Sequence, residues 1–276
     1  MRIFYLIRAK VSFCALLTGF MSAAAFGGLP SVPAGIDHTP WDDLAAAYVD
    51  EKGLVDYAAW HGSAEDRAKL DAYLEAFAPE PAEAARGDDK IASLINAYNA
   101  FTVQFILENY PTESIRLLDD PFDGKRHLVG GQEISVDDIE HEMLRPLIGW
   151  KVHSVVVCAA RSCPPLLNRA YFANDWGAKM EERYRVWLAR EDLNTYDPDR
   201  RRRGTVDISR IFNWYSEDFE GDHSIEAVLG RYGPEPYRSF LRGGGYRVRY
   251  QSYHWGLNDQ GPLGEDYRHS ILRSLF

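Results

Sequence analysis

From Asp89 to Asn109 the chain carries apolar side chains at Ile91, Leu94, Ile95, Tyr98, Phe101, Phe105 and Ile106, with Pro111 just beyond. The spacing predicts a helix, and its apolar arc is wide. A helix that is apolar over so much of its circumference has to be covered on several sides, so the rest of the chain must be organised around it. Pro111 closes it, because a proline in a helix interior removes a hydrogen bond and clashes with the preceding turn. Asn96 and Asn99 lie three apart inside this stretch and share a face. Asparagine forms helices poorly, and each buried amide needs partners. The pair therefore either holds neighbouring backbone or lines a polar cavity, where Asn96 would orient a base or donate to an oxyanion.

The flanking segments are shorter. Trp41, Leu44 and Tyr48 repeat at helical spacing and Gly53 ends that stretch. Ser63 and Asp66 form a capping box ahead of the apolar face Leu70, Tyr73, Leu74 and Phe77, which Pro79 and Pro81 stop. RHLVGGQEIS alternates about Gly130-Gly131 as a hairpin does. Ser135 and Asp138 make a second capping box, for a helix facing inward with Ile139, Met143, Leu144 and Leu147. The β-branched run Val152 to Val157 predicts a strand buried on both faces. A helix over 175–190, a strand over Thr205 to Ile208, a helix near Ile225 to Tyr232 and a last strand in YRVRYQSYHWGLN complete the reading. Helices outnumber strands and no βαβ rhythm repeats. The expected class is α+β, a single mostly helical domain over 41–276 with a small mixed or antiparallel sheet, preceded by a loop over 26–40.

Residues 1–25 place Arg2, Arg8 and Lys10 before an apolar run from Val11 to Phe20 and end in Ala23-Ala24-Ala25. That is the layout of a secretory signal peptide. The run is shorter than the roughly 20 residues that span a bilayer, and none of that length comes after it. The mature chain is expected to be exported, periplasmic or secreted, without a membrane span. The formal net charge is −10, and removing three basic residues with the peptide makes it more acidic. Such a charge disfavours nucleic acid and anionic membrane surfaces as partners. The cluster Arg200 to Arg203 is flanked by Asp197, Asp199 and Asp207 and reads as a solvated loop. His141, Glu142, His153 and the cysteines are metal-ligand types, but no HExxH, CxxC or paired-histidine spacing occurs, so no metal is expected. GxSxG and glycine-rich phosphate loops are missing too, which argues against a serine hydrolase of the α/β type and against nucleotide use; no cofactor is expected.

The blocks GLVDY (53–57), LINAYNA (94–100), SVDDIEHEMLR (135–145), VHSVVVCAARSCPPLLNRAY (152–171), FNWYSEDF (212–219) and YHWGLND (253–259), in this order, resemble the domain of unknown function 547 family, in an exported bacterial-type member. The resemblance spans nearly all of the mature chain and implies no substrate or reaction. Asp56, Tyr57, Trp214, Asp218, Trp255 and Asn258 fall in these blocks.

The chemistry must come from side chains. With Cys14 removed, Cys158 and Cys163 in VVVCAARSCPPL are the remaining pair. An oxidising compartment favours their pairing, and AARS can turn back far enough to allow it. Closing so small a loop adds little stability, and short loops are where labile disulfides occur. The other reading is a thiol enzyme, a hydrolase or acyl transferase with Cys163 as nucleophile. Cys163 would sit ahead of a helical turn begun by Pro164-Pro165, with Arg161 adding positive charge, while Cys158 would be buried and inert at the strand end. Its base would be His141 or His153, with Asn96 as orienter. His141 shares a helical face with Asp137 and Arg145, and Glu140, Arg145, Arg161 and Asn99 are expected in the cleft or its support. Both histidines precede the cysteines, unlike the order in papain-like enzymes. The alternative is a non-catalytic binding or structural module of the cell envelope whose loop is fixed by a Cys158–Cys163 disulfide.

Overall fold

Of three helices built on the aromatic spacing, α2 (Tyr57–Gly62) and α3 (Ala64–Glu75) pack against the long helix α4 (Gly87–Glu108), and α1 (Thr39–Tyr48) packs on α2 and α3. The structure is a computed structural model that describes residues 28–200 and 203–261. The expected signal peptide, Arg201 and Arg202 of the arginine loop, and residues 262–276 lie outside the described residues. Helix α4 is buried from Ile91 through Val103 without a break, which is the covering that its wide apolar arc demands. Trp41 stacks on Trp60 and Tyr73, and Tyr48 stacks on Trp60, so one end of α4 is walled by aromatic rings. Ser63 caps α3 by accepting the Asp66 N–H at 3.2 Å.

The hairpin forms as the sequence predicts: β1 (His127–Val129) pairs antiparallel with β2 (Gln132–Ile134). Gly130 and Gly131 both take positive φ, and a Cβ on Gly130 would lie 2.2 Å from the Ser31 carbonyl oxygen. Ser135 and Asp138 then cap each other reciprocally, at 2.9 and 3.0 Å. The helix they open is not regular. Asp138–Leu144 is a π-helix that passes into the short helix α5 (Arg145–Ile148). A π turn adds a residue and shifts the phase of the later turns. Ile139, Met143 and Leu144 remain inside, Glu140 joins them, and Leu147, expected inside, is 47% exposed.

The predicted strand Val152 to Val157 is not one. Gly149–Ser154 is a 3-10 helix, and 156–158 run on without strand pairing. Continuous β-branched burial does not distinguish a ladder strand from a buried irregular segment, and here the backbone groups are satisfied otherwise. Val155 N–H bonds Val152 O at 3.0 Å, and the Asn99 amide donates to Val155 O at 2.8 Å while accepting from Val157 N–H at 2.9 Å. One asparagine supplies the two bonds a neighbouring strand would have made.

Helix α6 (Trp176–Ala189) buries Met180, Tyr184, Trp187 and Leu188 as its spacing predicts. Beyond it lies a mixed sheet, in which β3 (Thr195–Asp197) is antiparallel to β4 (Thr205–Ile208), and β4 is parallel to β5 (Arg247–Tyr250). Between β4 and β5 lie α7 (Ile211–Trp214), α8 (Ile225–Tyr232) and α9 (Arg238–Gly243). The last strand is shorter than expected: beyond Tyr250 the chain is irregular and lies along the cysteine loop. The fold is a mostly helical α+β domain with one small antiparallel and one small mixed sheet. No helix among the described residues is long and apolar enough to cross a membrane.

Candidate functional site

The segment after β5 builds the site by docking onto the cysteine loop. Arg161 N–H bonds Gly256 O at 2.7 Å, Ser162 N–H bonds His254 O at 3.2 Å, Asn258 N–H bonds Ala159 O at 2.9 Å, and the Ser162 hydroxyl accepts from His254 N–H at 2.8 Å. The Arg161 guanidinium is spent on the carbonyls of Leu257, Asp259 and Gly261. It clasps the end of the described chain rather than charging the cysteines. The docking carries Tyr253 over the sulfurs and sets Trp255 against Trp214 of α7, ring centroids 5.9 Å apart.

Cys158 and Cys163 are joined in a disulfide with Cα atoms 6.3 Å apart. The exposures reverse the sequence expectation, since Cys158 is partly exposed and Cys163 is 3% exposed. Residues 164–167 form no helical turn, so no helix N-terminus faces Cys163. Two donors reach Cys163 Sγ, the Cys158 N–H at 3.1 Å and the Tyr253 hydroxyl at 3.1 Å. The Tyr253 hydroxyl is also 3.2 Å from Cys158 Sγ. Sulfurs joined in a disulfide carry no hydrogen, so Tyr253 is the donor in both contacts.

The disulfide forms one wall of a cleft of about 480 Å³. Trp214, Trp255, Tyr253 and Phe122 supply rings to its lining, and Asp137, Glu140, His141 and His153 supply polar groups. Arg116 lies over the Trp255 ring at 4.9 Å. Trp214 is 42% exposed, whereas Trp41, Trp60 and Trp187 are almost fully buried.

Asp218 organises the polar wall. Arg145 grips it with a two-pronged fork, Nε to Oδ2 at 3.0 Å and NH2 to Oδ1 at 2.9 Å, and also reaches Glu217 at 3.0 Å. His153 Nε2 lies 2.6 Å from Asp218 Oδ2, and the imidazole stacks on Tyr215 at 4.4 Å. Burial holds His153 below the ordinary imidazole range despite its carboxylate partner, so the neutral ring donates its Nε2–H to Asp218. Burial also opposes ionisation of Asp218, but the hydrogen bonds from His153 and Arg145 outweigh it and hold the carboxyl at about 2. His141 Nδ1 is 3.2 Å from an Arg145 nitrogen, where it accepts from the guanidinium.

Glu140 is the other unusual acid. Burial pushes its carboxyl up to about 7, partly countered by a hydrogen bond from Tyr98, with the neighbouring Asp137 adding to the rise. Burial raises Asp137 as well. Glu140 lies one turn before the buried Leu144, among the inward-facing residues of the π-helix.

The structure brings Cys158, Cys163, His141, His153 and Glu140 to one cleft. Arg145 stands behind it through Asp218. Neither asparagine faces it. Asn96 donates to Tyr171 O at 2.7 Å and accepts from Tyr171 N–H at 2.9 Å, and Asn99 is closed on Val155 and Val157 in the same way. Both amides hold backbone, so Asn96 is not available as an orienter or oxyanion donor. Sequence reasoning gave Asp218 no role and did not single out Tyr98, Tyr215 or Tyr253. For Asp218 a signal existed in the acidic pair of FNWYSEDF, which can partner a buried histidine. The tyrosines had none, since aromatic residues are read first as core. Among the described residues, no group of three or more histidine, cysteine or acidic side chains is placed to hold a metal ion.

Fold and site together define a mostly helical α+β domain with an aromatic cleft walled by a disulfide loop. Residues 82–188 match the model of a family described as a protein of unknown function, DUF547. The matched region holds α4, both histidines and both cysteines, while Asp218, Tyr253 and Trp255 lie beyond it. No curated protein and no solved structure matches the chain.

Proposed function

We propose that the protein is an exported, non-catalytic binding module of the cell envelope, whose cleft takes a small ring-bearing molecule and whose loop is fixed by the Cys158–Cys163 disulfide. The observation that carries this reading is the composition of the cleft. A space of about 480 Å³ lies within the range of small-molecule sites, and its lining combines several rings with a few polar groups. Trp214 is a partly exposed ring that a ligand ring can cover, while His153, Glu140 and Asp137 line the same space with polar groups. Titration of the oxidised protein with phenol, benzylamine and a methyl glucoside, monitored by tryptophan fluorescence, tests it. The expected result is saturable quenching by at least one probe, lost in Trp214→Ala. Absence of saturable change with all three would overturn the reading.

A thiol-dependent hydrolase or acyl transferase with Cys163 as nucleophile is the second reading, and it applies to the reduced protein alone. What favours it is the pair of donors on Cys163 Sγ, which would stabilise a thiolate there. While Cys163 is bonded to Cys158 it holds no thiol, and His153 is engaged by Asp218.

A further inference from the structure

The disulfide has three features that a purely structural bridge does not need. It faces the cleft, with the sulfur of Cys158 on a partly exposed residue and that of Cys163 buried. Its two sulfurs are unequal: the Tyr253 hydroxyl lies 3.1 Å from Cys163 Sγ and 3.2 Å from Cys158 Sγ, but Cys163 Sγ also accepts from a backbone N–H, that of Cys158 at 3.1 Å, and these donors would strengthen as negative charge develops on that atom. The bridge also holds little in place. It closes a small loop, whose entropic contribution is modest, and Ala159 within it takes a left-handed φ of 57°, which costs a non-glycine residue energy. The loop keeps its position by other means, through Asn99 on one side and the hydrogen bonds to 254–258 on the other.

We propose that Cys158–Cys163 is an exchange-active disulfide that oxidises a small dithiol entering the cleft. This rests on the reading that the cleft admits small molecules. One thiol of the dithiol gives its proton to water and attacks Cys158 Sγ. The bond to Cys163 breaks, and its electron pair leaves on Cys163 Sγ as a thiolate held by the Cys158 N–H and the Tyr253 hydroxyl. The second thiol, also deprotonated, then attacks the substrate sulfur of the mixed disulfide and displaces Cys158 as a thiolate. The two protein thiolates take up the two protons released. The dithiol becomes a disulfide and the protein disulfide becomes two thiols. A thiolate that hydrogen-bond donors stabilise leaves more readily, and the extra N–H on Cys163 Sγ, with the greater exposure of Cys158, assigns the leaving role to Cys163 and the attacked sulfur to Cys158.

Dithiothreitol serves as the probe dithiol and oxidised glutathione as the reference disulfide, with alkylation at timed intervals and mass spectrometry as readout. The folded protein is expected to be reduced about tenfold faster than oxidised glutathione, with its near-ultraviolet circular dichroism preserved, and Tyr253→Phe should slow reduction by a comparable factor. Two serine variants test the asymmetry. Cys163→Ser should trap a mixed disulfide with hydroxyethyl disulfide, and Cys158→Ser should not. A bridge that dithiothreitol reduces only on unfolding, or serine variants that react equally, would overturn the proposal. Should Tyr253→Phe fail to fold, the wild-type rate and the serine pair still decide. The fluorescence titration separates the two claims: probe binding without exchange removes the exchange activity and leaves the binding module standing.

Discussion

Asn99 and Asp218 each hold two partners of the segment that runs from α5 to the cysteine loop, yet they do so in opposite ways. Asn99 is 2% exposed, and its amide is closed on the backbone of Val155 and Val157. Asp218 lies at the margin of the cleft and holds two ionisable side chains, His153 and Arg145, of which His153 lines the open space. A neutral, fully paired buried amide fixes structure and does little else. A carboxylate that orders a histidine against a cavity leaves groups poised for a ligand. The difference separates scaffold from site even though both lie within one small region of the molecule.

The largest effect should come from the scaffold side. Asn99→Ala leaves a buried N–H and a buried C=O without partners, and each costs about 1–3 kcal/mol. Chemical denaturation should show a loss of roughly 2–6 kcal/mol. A loss below about 0.5 kcal/mol, the range of ordinary surface changes, would mean that the amide does not stand in for a neighbouring strand.

Glu140 gives the next effect, and it depends on pH. Its folded pKa, about 7, lies above that of an unfolded glutamate, so the folded state retains the proton as pH rises. Glu140 by itself therefore takes away stability from about pH 4.5 to about 7, by at most about 3 kcal/mol, and no more above that. Glu140→Gln should lack this decline and gain on the wild type across that window. Parallel stability profiles for the two proteins would contradict a protonated buried carboxyl.

Asp218→Ala leaves His153 and Arg145 without their shared acceptor and should cost about 2 kcal/mol at neutral pH. The sign of its pH dependence is opposite to that of Glu140. With its folded pKa held at about 2, Asp218 contributes stability that is present above about pH 4 and lost as pH falls toward 2. The deficit of Asp218→Asn relative to the wild type should shrink over that acid range, as measured by denaturation at stepped pH. Trp214→Ala should cost least, within about 0.5 kcal/mol, because the ring is already partly in water. Its effect should appear in probe binding, and a variant that unfolds instead would assign Trp214 to the core.

Much of the scaffold was legible in the sequence. The wide apolar arc of α4, both capping boxes, the hairpin about Gly130-Gly131 and the spacing of α6 rest on local rules that this fold obeys. Local rules failed where tertiary contacts took over the backbone. Val152 to Val157 has strand composition, but Asn99 replaces the missing ladder. Leu147 sits at an α-helical inward position, but it follows a π-helix that shifts the phase, and it is exposed, whereas Glu140 is buried. The cysteine loop, His141, His153 and Glu140 could be named from the sequence because their residue types are scarce and reactive. Asp218, Tyr215 and Tyr253 reach the cleft only when distant segments fold together, Tyr253 through docking of 254–258 on the cysteine loop.

The tryptophans provide the most direct test that the cleft is a binding site. Trp214 and Trp255 line it, whereas Trp41, Trp60 and Trp187 are almost fully buried in the core. In the indole N–H spectrum of nitrogen-labelled, oxidised protein, the probe that quenches fluorescence should move the Trp214 and Trp255 resonances saturably and leave those of Trp41, Trp60 and Trp187 in place. Resonances that stay fixed for all five, or that shift together in core and cleft, would contradict the account.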